Sequence, residues 1–350
     1  MTSMNRRLYL VALLALTVIA GSAVYVATRV DPDDLRTNRT VRTEADLPVL
    51  AGSVPSLAGG RGWLNSPPLT PADLLGKVVV YDFWTYSCVN CLRTLPHLQS
   101  MYRRYHAEGL EIIGIHSPEF DFERQHGNVT QAVSDLGVTW PVLFDDDMEV
   151  WQAFNNNYWP AQYVADRDGR VRAHHIGEGD YSQKEDEVRA LLGVAETAPR
   201  ADSTGVAEPT PTAAQTPEII VGTDFGGARK CSSPGAYETR TDFSVPDPQP
   251  ADSFALSGSW TISGQRVLAA DGASLVLSYR ATEVNVVMSA SGPGAQVAVE
   301  LDGQPAKTVP VSKSQLYNVV DQGPSGYHTL TLRPSPGAVL EVYSFTFGTR

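Results

Sequence analysis

The sequence predicts an α/β domain followed by an all-β domain of jelly-roll or sandwich type, behind a single N-terminal transmembrane helix. Three observations predict it. Nearly every residue from Leu8 to Ala27 is apolar, and about twenty residues of helix span about 30 Å, the thickness of a bilayer's hydrocarbon core. Strand-length apolar runs alternate with segments of helical period between residues 61 and 193. After residue 219 short alternating runs are punctuated by Gly and Pro, and none keeps a helical period beyond two turns.

A length of 350 residues suffices for two domains with cores of their own. The formal net charge of −12, without any Lys/Arg-rich block, argues against nucleic acid as a partner. Three cysteines exclude a disulfide scaffold and leave one dithiol and one odd thiol.

Taken in order, residues 1–7 with Arg6 and Arg7 read as a cytoplasmic tip, and 8–27 as a signal anchor placing the remainder outside the cytoplasm, in the cell membrane as a single-pass protein. A cleaved signal peptide has a shorter apolar region, roughly 7–15 residues, but Gly21-Ser22-Ala23 leaves cleavage open. No cysteine lies nearby, so lipid anchoring is out. Residues 28–60, rich in Asp, Arg, Thr, Gly and Pro, read as a tether.

Within residues 61–193, Val78 to Trp84 reads as a buried strand and Val89 to Tyr105 as a helix with Leu92, Leu95, Leu98 and Tyr102 on one face. Between them stand Cys88 and Cys91, in Cys88-Val89-Asn90-Cys91. Unpaired N–H groups and the dipole at a helix N-terminus favour an anion at the first thiol. A thiolate there can attack a disulfide, and the second thiol, one turn on, can resolve the mixed disulfide. Leu110 to His116 is a second buried strand, Phe122 to Leu136 a helix, Trp140 to Phe144 a further extended segment, and Met148 to Phe154 a short helix ended by Asn155-Asn156-Asn157. Tyr163 to Asp166 and Val171 to Ile176 form a hairpin around an Asp-Gly turn, and Gln183 to Leu192 a closing helix. The active site belongs beyond the carboxyl end of the first long strand.

Residues 194–218 hold four prolines, many Ala and Thr and no aromatic residue. They read as an unordered linker between two domains. Residues 219–350 form the β domain, with alternating runs at Ser274 to Arg280, Val284 to Met288 and Gln296 to Leu301, a turn at Asp302-Gly303, and strand residues Leu330, Leu332, Tyr343, Phe345 and Phe347. Cys231 reads as buried and inert, with pairing between chains as the alternative.

The C-x-x-C spacing alone also fits half of a zinc site. Zinc would need two more ligands, and Cys231 lies far away while His97, His106 and His116 show no paired spacing. No metal ligand and no cofactor is therefore assigned. A copper carrier using Cys88, Cys91 and a histidine such as His116 stays open as an alternative, although such carriers have one more residue between their cysteines. A peroxidatic cysteine would need no partner three residues later.

The stretch around Cys88 and Cys91 resembles the thioredoxin-like redoxins of the TlpA and DipZ type. The resemblance implies that Asp82 assists proton transfer to or from Cys91; an acid closing the strand end is the plainer alternative. Tyr158-Trp159-Pro160-Ala161-Gln162 matches the loop where such folds carry a cis proline, so Trp159 and Pro160 would frame the substrate groove. Trp159 equally fits plain core packing. Residues 117–150 match the insert of TlpA-like proteins. Thr216 to Ile219, Phe254 to Trp260 and Tyr343 to Gly348 resemble the C-terminal module of DipZ proteins, so the likeness covers about residues 61 to 350. That module is carbohydrate-binding-module-like, and related shapes bind sugars through exposed aromatics. A carbohydrate or protein ligand is thus an expectation, with Trp260, Tyr279, Tyr317, Tyr327 and Tyr343 candidates by type alone. DipZ proteins carry a multi-helix electron-transfer domain, where this chain has one hydrophobic segment. The resemblance therefore implies a separate CcdA/DsbD-like membrane electron donor.

The expected function is that of a membrane-anchored extracytoplasmic thiol–disulfide oxidoreductase acting on disulfides of exported proteins, in the reducing direction. The alternatives are copper delivery by the same cysteines and a binding or scaffold role centred on the β domain.

Overall fold

A computed structural model describes residues 43–202 and 215–348. The apolar segment 8–27 lies outside the described residues. Among those described, no helix is long and apolar enough to cross a membrane.

The first part is built on a six-stranded sheet. Its strands are β1 (Trp63–Leu64), β2 (Val78–Trp84), β3 (Leu110–His116), β4 (Val142–Phe144), β5 (Ala161–Ala165) and β6 (Val171–Ile176), in the order β1-β4-β3-β2-β5-β6. The central pairs β2–β3 and β3–β4 are parallel, whereas β5 and β6 run antiparallel as a hairpin. Every residue of β2 and β3 is buried. Such strands are covered on both faces, which is why they read as unbroken apolar runs rather than alternating ones. Helices α1 (Val89–Tyr105), α2 (His126–Asp135), α3 (Glu149–Ala153) and α4 (Tyr181–Leu192) flank the sheet. Leu95, Leu98, Met101 and Tyr105 of α1 pack with Val78, Val80 and Ile112 on one side. Tyr81, Phe83, Ile113 and Ile115 pack with Trp151, Phe154 and Tyr163 on the other.

Three stretches differ from the sequence expectation. The helix expected from Phe122 begins only at His126, because Asp121–Arg124 forms a separate short turn. Glu123 closes that turn, its carboxylate accepting from the N–H groups of Glu119 and Phe120 at 2.7 and 3.0 Å. The later part of the expected tether is folded onto the domain. Leu47 and Leu57 are buried, and Arg172 donates to the carbonyls of Glu44, Leu47 and Pro48. The start of the expected linker is likewise ordered: Arg189 donates to the carbonyls of Ala195, Ala198 and Pro199, and Ala201 joins the core. One buried guanidinium in each case satisfies carbonyls of a stretch too poor in apolar surface to order itself. Residues 203–214 lie outside the described residues.

The second part holds β7 (Ile219–Ile220), β8 (Arg240–Phe243), β9 (Ser253–Ser263), β10 (Arg266–Ala269), β11 (Ser274–Arg280), β12 (Glu283–Ser291), β13 (Gln296–Leu301), β14 (Gln304–Pro310), β15 (Gln315–Val320), β16 (Tyr327–Pro334) and β17 (Val339–Gly348). Its main strand order is β14-β13-β16-β11-β9-β10-β17-β12-β15, all antiparallel. The path folds into two faces because β9 belongs to both. Its first half pairs with β11 and its second half with β10. Gly258, with φ of +84°, sits between the halves, and a Cβ there would come within 3.1 Å of Ala273 Cα. Glycine alone allows that bend cheaply. Trp260, Tyr279, Phe254 and Phe345 fill the space between the faces. Trp260 and Tyr279, two of the aromatics considered for a sugar, are therefore core residues, and Tyr343 is also buried.

The two parts belong to one compact unit. Val287 and Tyr343 of the second join the hydrophobic core around α1 of the first.

Candidate redox site

The carboxyl ends of β2 and β3 lie in register, Trp84 opposite His116. Beyond Trp84 the chain turns through Thr85-Tyr86-Ser87 and enters α1 with Cys88 as its N-cap, in extended conformation. The cap position suits a sulfur acceptor, since the first helical N–H groups have no partner within the helix. Cys88 Sγ accepts from the N–H of Cys91 at 3.3 Å, while the Cys88 carbonyl accepts from Leu92 N–H at 3.0 Å. Cys88 is half-buried and Cys91 buried; both thiols are free. Pro96 inside α1 lacks the N–H that would bond back to Leu92.

Burial pushes the Cys91 thiol well above its ordinary value, and the neighbouring Cys88 sulfur adds to the effect. Asp82, buried beneath the dithiol on β2, is pushed up to about 6 by loss of solvent. The side-chain N–H of Gln162 opposes this, donating to Asp82 Oδ1 at 3.1 Å, as does the charge of the buried Lys184 on α4. A carboxyl of that strength is ionised at neutral pH and close to the point of accepting a proton.

The Trp159–Pro160 peptide is cis. The Pro160 carbonyl accepts from Gly177 N–H at 2.8 Å, which ties this loop to the end of β6. The indole of Trp159 lies 4.2 Å from that of Trp151 and donates to the Ser117 carbonyl at 3.0 Å. Trp159 is thus only half-buried, with its polar edge satisfied. Tyr158 beside it is 54% exposed.

Of the residues singled out in the sequence, Cys88, Cys91 and Asp82 come together with Pro160 and Trp159 at one end of the sheet. His116 is buried at the end of β3, stacked on Tyr86 with ring centres 5.7 Å apart, and Nε2 lies 3.3 Å from Thr85 Oγ1. Burial lowers it to about 3. Among the described residues no group of three or more His, Cys, Asp or Glu is placed to hold a metal ion. Cys231 is away from this site, half-buried, its Sγ 3.8 Å from the Ser233 carbonyl.

Sequence reasoning missed four residues here. Glu123 is wholly buried, its pKa raised by burial, and accepts from Ser87 Oγ at 2.5 Å. It ties the loop before Cys88 to the 119–124 turn. Its signal was the acid three residues after Phe120, a turn-closing pattern. Lys184 carries no local signal, being on the last helix. Arg93 and Tyr343, the latter considered in the sequence only for a sugar, reveal their place here only through contacts between the two parts of the chain. The Tyr343 ring packs on Phe120 and Phe122, with centres 5.4 and 4.8 Å apart, and Phe122 in turn meets Tyr86.

The geometry has sequence counterparts in known proteins. Residues 65–174 match the AhpC/TSA family and residues 216–348 the family described as Thioredoxin like C-terminal domain. Protein DipZ of Mycobacterium bovis is 40% identical over 311 residues, taking in 85% of this chain and 43% of the relative. The chain carries a thioredoxin-like redoxin domain followed by a thioredoxin-like C-terminal domain, and it is similar to DipZ across both. It spans less than half the length of the DipZ proteins it matches. The redoxin part alone is similar to the thiol-disulfide oxidoreductase YkuV of Bacillus subtilis, 28% identical over 41% of this chain and 96% of that one. It is also similar to the thiol-disulfide oxidoreductase ResA of Bacillus thuringiensis, 30% identical over 32% of this chain and 62% of that one. DipZ similarity therefore extends across both parts, whereas YkuV and ResA share the redoxin part.

Proposed function

We propose that this chain is a membrane-tethered, extracytoplasmic thiol–disulfide oxidoreductase that reduces disulfides of exported proteins. The observation that carries the reading is the half-buried Cys88 sulfur capping α1, with Cys91 buried directly behind it and Asp82 beneath. The Cys88 thiolate attacks one sulfur of a substrate disulfide, forms a mixed disulfide and expels the other sulfur as a thiolate, which takes a proton. Asp82, ionised, accepts the proton of Cys91. The Cys91 thiolate then attacks Cys88 Sγ and releases the second substrate thiol. The substrate gains two electrons and the chain becomes its Cys88–Cys91 disulfide. Trp159 and Pro160 shape the face that the substrate meets. A separate membrane electron donor returns the pair to the dithiol. The apolar run 8–27 behind Arg6 and Arg7 supports tethering, with the redox part outside the cytoplasm.

The test is insulin-disulfide reduction by the full chain, with Cys88→Ser and Cys91→Ser. The first variant is expected to lose activity and the second to accumulate mixed disulfides with exported proteins. Unchanged reduction by Cys88→Ser would end the proposal. The direction is set by the midpoint potential of the pair. A value near about −250 mV supports a reductant, whereas one near about −120 mV would make it an oxidant.

A further inference from the structure

The dithiol helix is held from three sides by one guanidinium. Arg93 lies on α1 two residues past Cys91. Its Nη1 donates to Glu178 Oε1 at 3.2 Å and to Asn90 Oδ1 at 3.4 Å, and its Nη2 donates to Glu283 Oε2 at 2.9 Å. Asn90 is one of the two residues between the cysteines. Glu178 follows Gly177, whose N–H holds the Pro160 carbonyl. Glu283 opens β12 in the C-terminal β module, and its other oxygen accepts from Asn285 Nδ2 at 3.0 Å. The first turn of α1, the loop beside Pro160 and the β module thus meet at Arg93.

This pair differs from an ordinary surface fastener. The Arg93 side chain is 22% exposed and that of Glu283 only 5%. Lys313 and Asp135 also join the two parts, at 3.1 Å, but both are half exposed and touch nothing near the cysteines. Exposed pairs contribute little, whereas a charged hydrogen bond in a drier place fixes geometry. A rigid planar fork spanning two carboxylates and an amide fixes it in three directions.

We propose that Arg93 is a positioning residue for the dithiol and that Glu283, by holding it, makes the β module a working part of the redox site. The inference rests on the thiol–disulfide reading above and deepens it: the module acts in the chemistry of the pair and is more than an attached binding domain.

The experiment uses the full chain with Glu283→Gln, Arg93→Met and the double variant. Three quantities are read: the rate of Cys88 alkylation by iodoacetamide at fixed pH, the Cys88–Cys91 midpoint potential, and kcat against KM for insulin disulfides, beside a thermal melt. Glu283→Gln keeps the hydrogen-bonding shape and removes the charge, so it tests the proposal even where Arg93→Met folds poorly. Arg93→Met removes the bonds to Glu178, Glu283 and Asn90 together and is expected to change the alkylation rate at least about tenfold. Glu283→Gln is expected to change it severalfold and to move the potential, and the double variant is expected to match Arg93→Met alone. Variants that melt earlier while alkylation and potential stay at wild-type values would overturn the proposal, as would effects that simply multiply. A reversible wild-type pair with unresponsive variants sinks only this inference; a wild-type chain with no reversible pair sinks the oxidoreductase reading and this one together.

Discussion

The backbone N–H of Cys91 donates to the Cys88 sulfur across 3.3 Å, so the attacking sulfur is also the cap of the helix that carries its partner. Stability and chemistry therefore share one atom. Serine can accept the same hydrogen bond and alanine cannot. Cys88→Ala is expected to be less stable than Cys88→Ser by about 1 kcal/mol in urea unfolding, although both are inactive. Equal stabilities would mean that the sulfur does not cap α1.

Asp82 gives a pH dependence whose sign is fixed by its burial. The folded carboxyl is raised from 3.8 to about 6, so the folded chain binds this proton more tightly than the unfolded one. The stability so gained is fully present below about 3.8 and is lost as pH rises through about 6, a difference of about 3 kcal/mol. Asp82→Asn is expected to match wild type in this respect at pH 3.5 and to be the more stable of the two at pH 7.5. It is also expected to slow release of the mixed disulfide at pH 7.5. A stability difference independent of pH would refute the assignment.

His97 acts in the opposite sense. It is fully buried on α1 against the Tyr181 ring, 4.8 Å between centres, and burial lowers it from 6.5 to about 4. The charges of Lys184 and Arg200 push in the same direction. Its contribution is complete above about 6.5 and is lost as pH falls toward about 4, by about 3 kcal/mol. His97→Leu is expected to flatten the stability profile between pH 6.5 and 4 relative to wild type. A profile that keeps its slope would show that His97 is not the group being protonated.

Trp159 separates packing from substrate contact. Trp159→Phe keeps a ring against Trp151 and loses the hydrogen bond to the Ser117 carbonyl, at a cost of about 1 kcal/mol. Trp159→Ala removes the ring as well. The alanine variant is expected to raise KM for a protein disulfide while leaving the rate with a small-molecule disulfide near wild type. Equal loss on both substrates would assign Trp159 to packing alone.

Much of this was legible in the chain. Cys88 and Cys91 at a strand-to-helix junction, the all-buried β2 and β3, and the Asp-Gly hairpin are local patterns, because strand burial, helix period and turn chemistry are written within a few residues of each other. The β strands of the C-terminal part were recognisable for the same reason.

What only the tertiary structure decided is how distant residues meet. Lys184 reaches the neighbourhood of Asp82 because α4 folds back over β2, and the carbonyls of residues 44–48 and 195–199 find their partners in Arg172 and Arg189, far away in sequence or on another element. Glu283 reaches Arg93 because β12 packs beside the dithiol helix. These are charge and hydrogen-bond partners without periodicity. Their energy depends on burial, and burial is settled only when the whole chain has folded. The sequence by itself determined the dithiol and its helix; the packing of the β module decided what surrounds them.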